Sequence, residues 1–390
     1  MNHRERFLEL QALLTAHETW WRPAPFRVRR PDWCDERPAL AEAVLALDAA
    51  ALARYADDPA VCCAWLASWL PVVDRLGELA VLPALPSRPL PLCAPHFDWS
   101  IPGRKREQIE AFAAHRPIAR APVLEWCAGK GHLGRRVALA DRVPVASLEI
   151  DPVLCADASH LAARAGVEQV VLCADALDDS SRSHLRGRGV LALHACGELH
   201  RSLVRSADRD GARSYRIAPC CYARGAENGY RPVSRAASLP LDADALRLAV
   251  TETVTAPRHV RARLARDQAW KLGFIALREA IEGTVPRTFR PVPKGWLAGD
   301  FVAFGEALAQ REGVRLPARV DWAHWQSVGE GRRDEVRRFE LVRHAFRRAL
   351  EMWLVLDLAL GLEEAGFDVE VGSFCARSLT PRNLLVIAER

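Results

Sequence analysis

Lysine is nearly missing from this 390-residue chain: it occurs only at Lys105, Lys130, Lys271 and Lys294, so almost all the positive charge is arginine. The formal balance is a mild +5, which permits an anionic partner without demanding one. Apolar runs of membrane length are lacking too. The most apolar late stretch, "ALEMWLVLDLALGLEEAG", is broken by Glu351 and Asp357, which argues against a membrane span. The opening "MNHRERFLELQALL" has neither the apolar core nor the small-residue cleavage site of a secretory signal. A soluble, cytoplasmic protein with no membrane partner is expected. The eleven cysteines show no Cys-x-x-Cys pair, and without a secretory signal they read as reduced thiols rather than a disulfide framework or a tight zinc site. There is no internal repeat, and no feature specifies an oligomeric state.

What is present is apolar mass: 50% of the residues are hydrophobic, enough to bury a substantial core. Residues 1–100 read as a helical region anchored by Trp20, Trp21, Trp33, Trp65 and Trp69, closing in the linker "LPALPSRPLPLCAP", whose prolines are too dense for a helix or central strand. Residues 101–222 change rhythm. A helix over "GRKREQIEAFAAHR" leads into short apolar runs, "PVLEW", "VPVASLEI", "EQVVLCA", "GVLALHA" and "RSYRIAP", spaced as helical crossovers of a parallel sheet require. Five such runs predict a doubly wound α/β fold. Residues 223–342 form a helical insertion, and 343–390 return with an apolar helix and a terminal hairpin, "FDVEVGSF" and "NLLVIAER".

The chemistry centres on "EWCAGKGHLGRR", where Gly129, Gly131 and Gly134 follow the first strand. A glycine turn there lets backbone N–H groups and a helix N-terminus approach a ligand closely. Glu149, about 20 residues further on at the end of the second strand, is placed to accept hydrogen bonds from ribose hydroxyls. A dinucleotide dehydrogenase would show that same pair, so the spacing alone leaves both readings open. Glu125, before the glycines, can orient the loop or meet the amino group of an amino-acid cofactor. Asp175, in "LCADAL" after the third strand, can bond an adenine amino group. Asp151, before Pro152, reads as a helix cap.

Read with the terminal hairpin, these features resemble class I S-adenosylmethionine-dependent methyltransferases. "EWCAGKGHLGRR", "LHACGELH" and "APCCYARG" together narrow the resemblance. They are similar to the group containing the methyltransferase domain of glutathione S-transferase C-terminal domain-containing proteins and the eukaryotic acceptor-stem tRNA 2′-O-methyltransferase. The likeness runs from about Ser100 to Arg224 plus the closing hairpin, and includes the basic pair Arg104 and Lys105. It departs at Tyr222, where the tRNA enzyme has histidine, and in lacking that enzyme's N-terminal zinc-finger pattern, so acceptor-stem specificity does not carry over. The resemblance implies a Rossmann-like sheet of five parallel strands plus a terminal hairpin, with S-adenosyl-L-methionine as cofactor and RNA (tRNA or rRNA) as substrate class; methylation of a protein or small molecule, or a catalytically silent cofactor- or RNA-binding protein, stays open beside it. It further implies that Cys127, Ala128, Gly129, Lys130 and Gly131 hold the cofactor's methionine portion, with Glu125 beside them, Glu149 its ribose and Asp175 its adenine. His194, Cys220, Cys221 and Tyr222 would line the acceptor side as catalytic residues.

In the usual strand order of such a fold, Cys127, Cys196, Cys220 and Cys221 end on neighbouring strands near His194. Four explanations compete: small thiols suited to crowded strand ends, an acceptor wall with an imidazole base, covalent catalysis by a thiolate, and a metal site, the last disfavoured by the missing Cys-x-x-Cys spacing. Where a base-recognising Asp/Asn-Pro-Pro-aromatic segment would follow strand four, "HACGEL" stands instead, and Glu198 reads as a helix-start carboxylate.

The insertion carries two arginine sets. "RHVRARLAR" holds Arg258, Arg261, Arg263 and Arg266, and "GRRDEVRRFELVRHAFRR" holds Arg333, Arg337, Arg338, Arg343 and Arg347. Either could meet phosphates, or be a solvated face partnered by Asp334, Glu335 and Glu340. Trp296 could stack on a base, whereas Trp322 and Trp325 read as core.

Overall fold

The computed structural model describes the chain apart from residues 95–96, 98–100, 116–120, 253–257, 284–286 and 288. Ser100, where the resemblance begins, and the end of the proline-rich stretch at 95–96 lie outside the described residues. Two compact units emerge: residues 1–15, 76–252 and 348–390 form one, and residues 16–75 and 253–347 the other.

The first unit is built on one sheet. Its strands are β1 (Val123–Trp126), β2 (Val145–Glu149), β3 (Gln169–Cys173), β4 (Gly189–Leu193), β5 (Ser214–Ala218), β6 (Asp368–Ser373) and β7 (Leu384–Glu389). They lie in the order β3-β2-β1-β4-β5-β7-β6. The first five are parallel, and β7 runs antiparallel to both β5 and β6. This is the expected α/β architecture of five parallel strands closed by a hairpin. β1 and β5 are buried along their whole length, as strands covered on both faces must be, while edge strand β3 is half exposed. Because β1 pairs with β2 on one side and β4 on the other, the chain leaves it in two directions, which makes the strands' C-terminal ends the switch point where an α/β sheet of this kind forms its ligand crevice.

Local sequence sets the crossovers. The helix Pro152–Ala165 starts on Asp151, whose carboxylate accepts from Val153 N–H at 2.8 Å, with Pro152 fixing the first turn, and stops at Gly166 in the left-handed region. The β3–β4 connection carries only a short 3₁₀ stretch, Asp179–Leu185, because "DDSSRS" offers no apolar face for a longer helix. The helix Arg347–Glu364 is buried from Ala349 to Leu362, with Phe7 and Tyr230 against Trp353. Its two buried acids find partners inside the unit: Glu351 pairs with Arg348 at 2.6 Å, and Asp357 accepts from Tyr230, Val233 and Ser234 at 2.7–3.0 Å. Among the described residues no helix is long and apolar enough to cross a membrane.

The second unit is helical, and its segments differ from the division read along the chain. Residues 16–75 join the later part of the insertion, while 223–252 stay with the sheet. The reason is aromatic and arginine packing between segments far apart in sequence. Trp33 meets Phe339 edge-on at 5.8 Å, Arg343 donates to the Trp21 carbonyl at 2.9 Å, and Arg338 donates to the Leu47 carbonyl. A second apolar cluster in this unit gathers Trp270, Phe274, Phe301, Phe304 and Leu308, with Trp296, Trp322 and Trp325 against it. The first helix, His3–Ala16, belongs mostly to the sheet unit, where Phe7 stacks on Trp353 at 5.1 Å.

Candidate active site

The loop leaving β1 turns sharply. Cys127, Gly129 and Gly131 all have φ near +60°, and Gly131 precedes the helix His132–Asp141. The Gly129 N–H donates to Glu149 Oε2 at 2.8 Å, tying the glycine loop to the end of β2 across 20 residues of sequence. The other oxygen of Glu149 accepts from Ile150 and Asp151 N–H at 3.0 and 3.1 Å. A methyl group added at Gly129 would meet nothing within 4 Å, so the loop borders open space. Beyond β3, Asp175 is exposed and holds its own turn by accepting from Leu177 N–H at 2.8 Å. These three strand ends line one side of the crevice with carboxylates and left-handed backbone.

Glu125 lies beneath the loop rather than on it. Only 4% exposed, it accepts from Ser147 Oγ at 2.7 Å and from the backbone of Leu133 and Gly134. Burial pushes its carboxyl up to about 7, against those hydrogen bonds. Of the two roles open from sequence, this geometry matches orienting the loop. Ser147 and Gln169, which sequence reading passed over, complete the buried polar knot: Gln169 Nε2 donates to Ser147 Oγ at 2.7 Å and to the Gly131 carbonyl at 2.9 Å. Lys130 reaches outward to Asp157, 2.9 Å away, and both side chains are well exposed.

On the other side, the loops after β4 and β5 are joined to each other. Gly197 N–H donates to the Cys221 carbonyl at 2.7 Å, and Glu198 N–H to the Arg224 carbonyl at 2.9 Å. Gly197 has φ +57°, and a methyl group there would sit 2.1 Å from the Arg224 carbonyl oxygen. Arg201, 1% exposed, donates to the carbonyls of Tyr222 and Arg224 at 2.8 and 3.1 Å and pairs with Glu198 at 3.1 Å. Glu198 is thus held by Arg201 and Arg205 as a helix-start acid. No motif pointed to Arg201, because a single arginine in "GELHRS" looks like any surface residue.

Within this frame Cys196, Cys220 and Cys221 converge. Their sulfur atoms lie within 4.8 Å of one another, and Cys196 Sγ is 3.0 Å from Cys220 Sγ. Hydrogen bonds from Cys220 and Cys221 hold the Cys196 thiol well below its ordinary pKa, while its neighbours are pushed up. Cys127 stays apart from this cluster, and burial followed by the charge of Glu149 drives it up to about 12. His194, exposed and with φ +68°, places Nε2 2.9 Å from Gln108 Oε1. With that oxygen as acceptor, Nε2 carries the hydrogen and Nδ1 is left with its lone pair. Desolvation of the ring lowers its pKa. Tyr222 is 1% exposed, meets buried His200 edge-on at 5.9 Å, and its hydroxyl finds no partner among the described residues. The structure therefore brings His194, Cys220 and Cys221 together with Cys196 and turns Tyr222 into the interior.

In the second unit the two arginine sets separate. Arg258, Arg261 and Arg263 are exposed on the first turns of the helix Arg258–Glu282. Arg333 and Arg337 share Asp334 at 3.5 and 3.6 Å, and Arg343 is buried against Glu340. Trp322 and Trp325 pack against the apolar cluster.

Residues 104–228 match the model of a methyltransferase domain family. The match spans β1 to β5, the glycine loop, both carboxylates after β2 and β3, and the cysteine loops. No curated protein matches the chain. The chain carries a Rossmann-like methyltransferase domain, which makes it an enzyme of the S-adenosylmethionine-dependent methyltransferase kind.

Proposed function

We propose that this enzyme moves a methyl group from S-adenosyl-L-methionine to RNA. The observation that carries the cofactor reading is the Gly129–Glu149 bond beside open space, since it fixes a left-handed glycine turn and a carboxylate at the border of a space that suits an amino-acid nucleoside. In this reading Cys127, Ala128, Gly129 and Gly131 cradle the methionine portion, Glu149 takes the ribose hydroxyls on lone pairs left by its backbone bonds, and exposed Asp175 takes the adenine amino group. Glu125 acts from below by fixing the loop. The bound cofactor supplies an activated methyl on a sulfonium, so the protein's own work is to place the acceptor and remove its proton. His194 Nδ1 is a basic atom on the acceptor side, and Cys220 and Cys221 shape the wall next to it.

The substrate class rests on the resemblance to RNA-modifying methyltransferases and on Arg258, Arg261 and Arg263, which present exposed guanidinium groups suited to phosphates. The narrower kinship, to the glutathione S-transferase C-terminal domain-containing and acceptor-stem tRNA enzymes, belongs to this proposal as well.

The test begins with calorimetric titration of the full chain with S-adenosylmethionine and S-adenosylhomocysteine, with NADH in parallel. Binding of the first two, weakened about tenfold or more in Glu149→Ala, is expected, as that change corresponds to roughly 1.4 kcal/mol. Binding of NADH alone would overturn the cofactor reading. Labelled-methyl transfer into RNA, and not into protein extract, is the expected second result, and the reverse would move the enzyme to protein substrates.

A further inference from the structure

The cysteine cluster at the ends of β4 and β5 carries a second inference, independent of the substrate. Neighbouring side chains on an extended backbone point to opposite sides. Cys220 and Cys221 are adjacent, yet both sulfur atoms reach the same partner, Cys196, from a loop that has left the sheet at Ala218. The two loops are held at this approach by a glycine no larger residue can replace without collision, Gly197, and by the buried guanidinium of Arg201. Three thiols gathered by this framework form a donor set for a soft cation.

We propose that Cys196, Cys220 and Cys221 bind a zinc ion through their three thiolates. Zinc–sulfur bonds of about 2.3 Å at tetrahedral angles set sulfur atoms about 3.8 Å apart. The observed cluster, with 3.0 Å between Cys196 and Cys220 and all three within 4.8 Å, brackets that spacing, so loading requires shifts of less than about 1 Å. A disulfide would need only two of these sulfurs and gives the third no reason to be there. Among the described residues no fourth histidine, cysteine or carboxylate joins the group, which leaves the fourth position to water or to an atom of the acceptor. On binding, the protons still held by the cluster pass to solvent as all three sulfurs become thiolates, and no electrons are exchanged. Sequence spacing hid this site because its ligands come from two loops rather than one Cys-x-x-Cys turn.

The experiment measures metal content of the untagged full chain, purified with reductant and without chelator. About one zinc ion per chain is expected, falling to near zero in Cys196→Ser and Cys220→Ser. Thiol titration of the folded protein should count three fewer reactive thiols before chelation than after. If those variants fail to fold, cobalt exchange into the wild-type chain replaces them: sulfur-to-cobalt charge transfer with intense tetrahedral visible bands supports the site. A metal-free chain whose thiol count ignores chelator, zinc retained in Cys196→Ser, a weak octahedral cobalt spectrum, or a Cys196–Cys220 disulfide in the isolated protein would each overturn the proposal.

Discussion

After β1 and β2 the rim of the crevice is held by backbone, with left-handed glycines, a helix N-terminus and a carboxylate that accepts from three N–H groups. After β4 and β5 it is held by side chains: one buried arginine on three carbonyls, three converging sulfurs, and a glycine that exists to let two loops touch. Gly129 and Gly197 make the contrast concrete. Both have φ near +57°, but a methyl group at Gly129 would enter open space, whereas one at Gly197 would strike the Arg224 carbonyl oxygen. The first side keeps room for a ligand, and the second spends its glycine on closing a gap.

The sharpest way to break the comparison is Gly197→Ala. Left-handed strain adds to a backbone collision that neither loop can relieve without losing its hydrogen bonds. A loss of about 3 kcal/mol or more in chemical denaturation is expected. A loss below about 1 kcal/mol would mean that the two loops are not locked together.

A change of pH separates the sides next. Glu125 holds its proton up to about pH 7 in the folded chain because it is buried, against 4.5 for an ordinary glutamate. Its contribution to stability is complete below pH 4.5 and is lost as the pH rises through 7, by at most about 3 kcal/mol. Urea unfolding of wild type and Glu125→Gln at pH 5 and pH 8 should show a smaller decline in the variant. Equal declines would place the carboxyl in a wetter setting than the knot of Ser147 and Gln169 provides.

The difference between the two sides is also the difference between what was legible in the sequence and what was not. Alternating apolar runs and crossover lengths carried the sheet and its hairpin, because period and length are local properties. The meeting of the glycine loop with Glu149 was legible because both belong to one βαβ unit at a short, fixed interval. Arg201, Gln108, Ser147 and Gln169 were not, since each works by reaching a partner on another element. The thiol cluster was half legible: strand order places the cysteines on neighbouring ends, but the loops that follow β4 and β5 decide that three sulfurs meet while Cys127 stands aside. Tyr222 shows the limit of reading a loop by adjacency, for it follows two clustered cysteines and yet faces the core. The helical region of residues 1–100 was read as a unit because its linker is local, whereas Trp33 on Phe339 is a contact across most of the chain.

Gly129→Ala gives a smaller effect, and on the opposite observable. Its left-handed backbone costs about 1 kcal/mol of stability, but the added methyl occupies the space the cofactor would use. Cofactor affinity should fall about tenfold or more by calorimetry while the denaturation midpoint moves little. Unchanged affinity would remove the cradle from the proposed site.

Lys130 should give the smallest effect. A lysine among glycines in a nucleotide-type loop suggests a direct charge on the ligand, as it does where a loop cradles phosphates. Here the side chain leaves the loop for Asp157 at 2.9 Å, and both partners are more than two-fifths exposed. An ion pair that open contributes less than about 1 kcal/mol and is screened by salt. S-adenosylmethionine has no phosphate for a lysine to neutralise, and its sulfonium and amino group would be repelled by one. Lys130→Ala should therefore change cofactor affinity by less than about threefold, or roughly 0.6 kcal/mol, with little dependence on salt. A loss of about tenfold that grows as salt is lowered would show that the lysine swings back onto the ligand. The cofactor side would then be held by a side chain as well as by backbone.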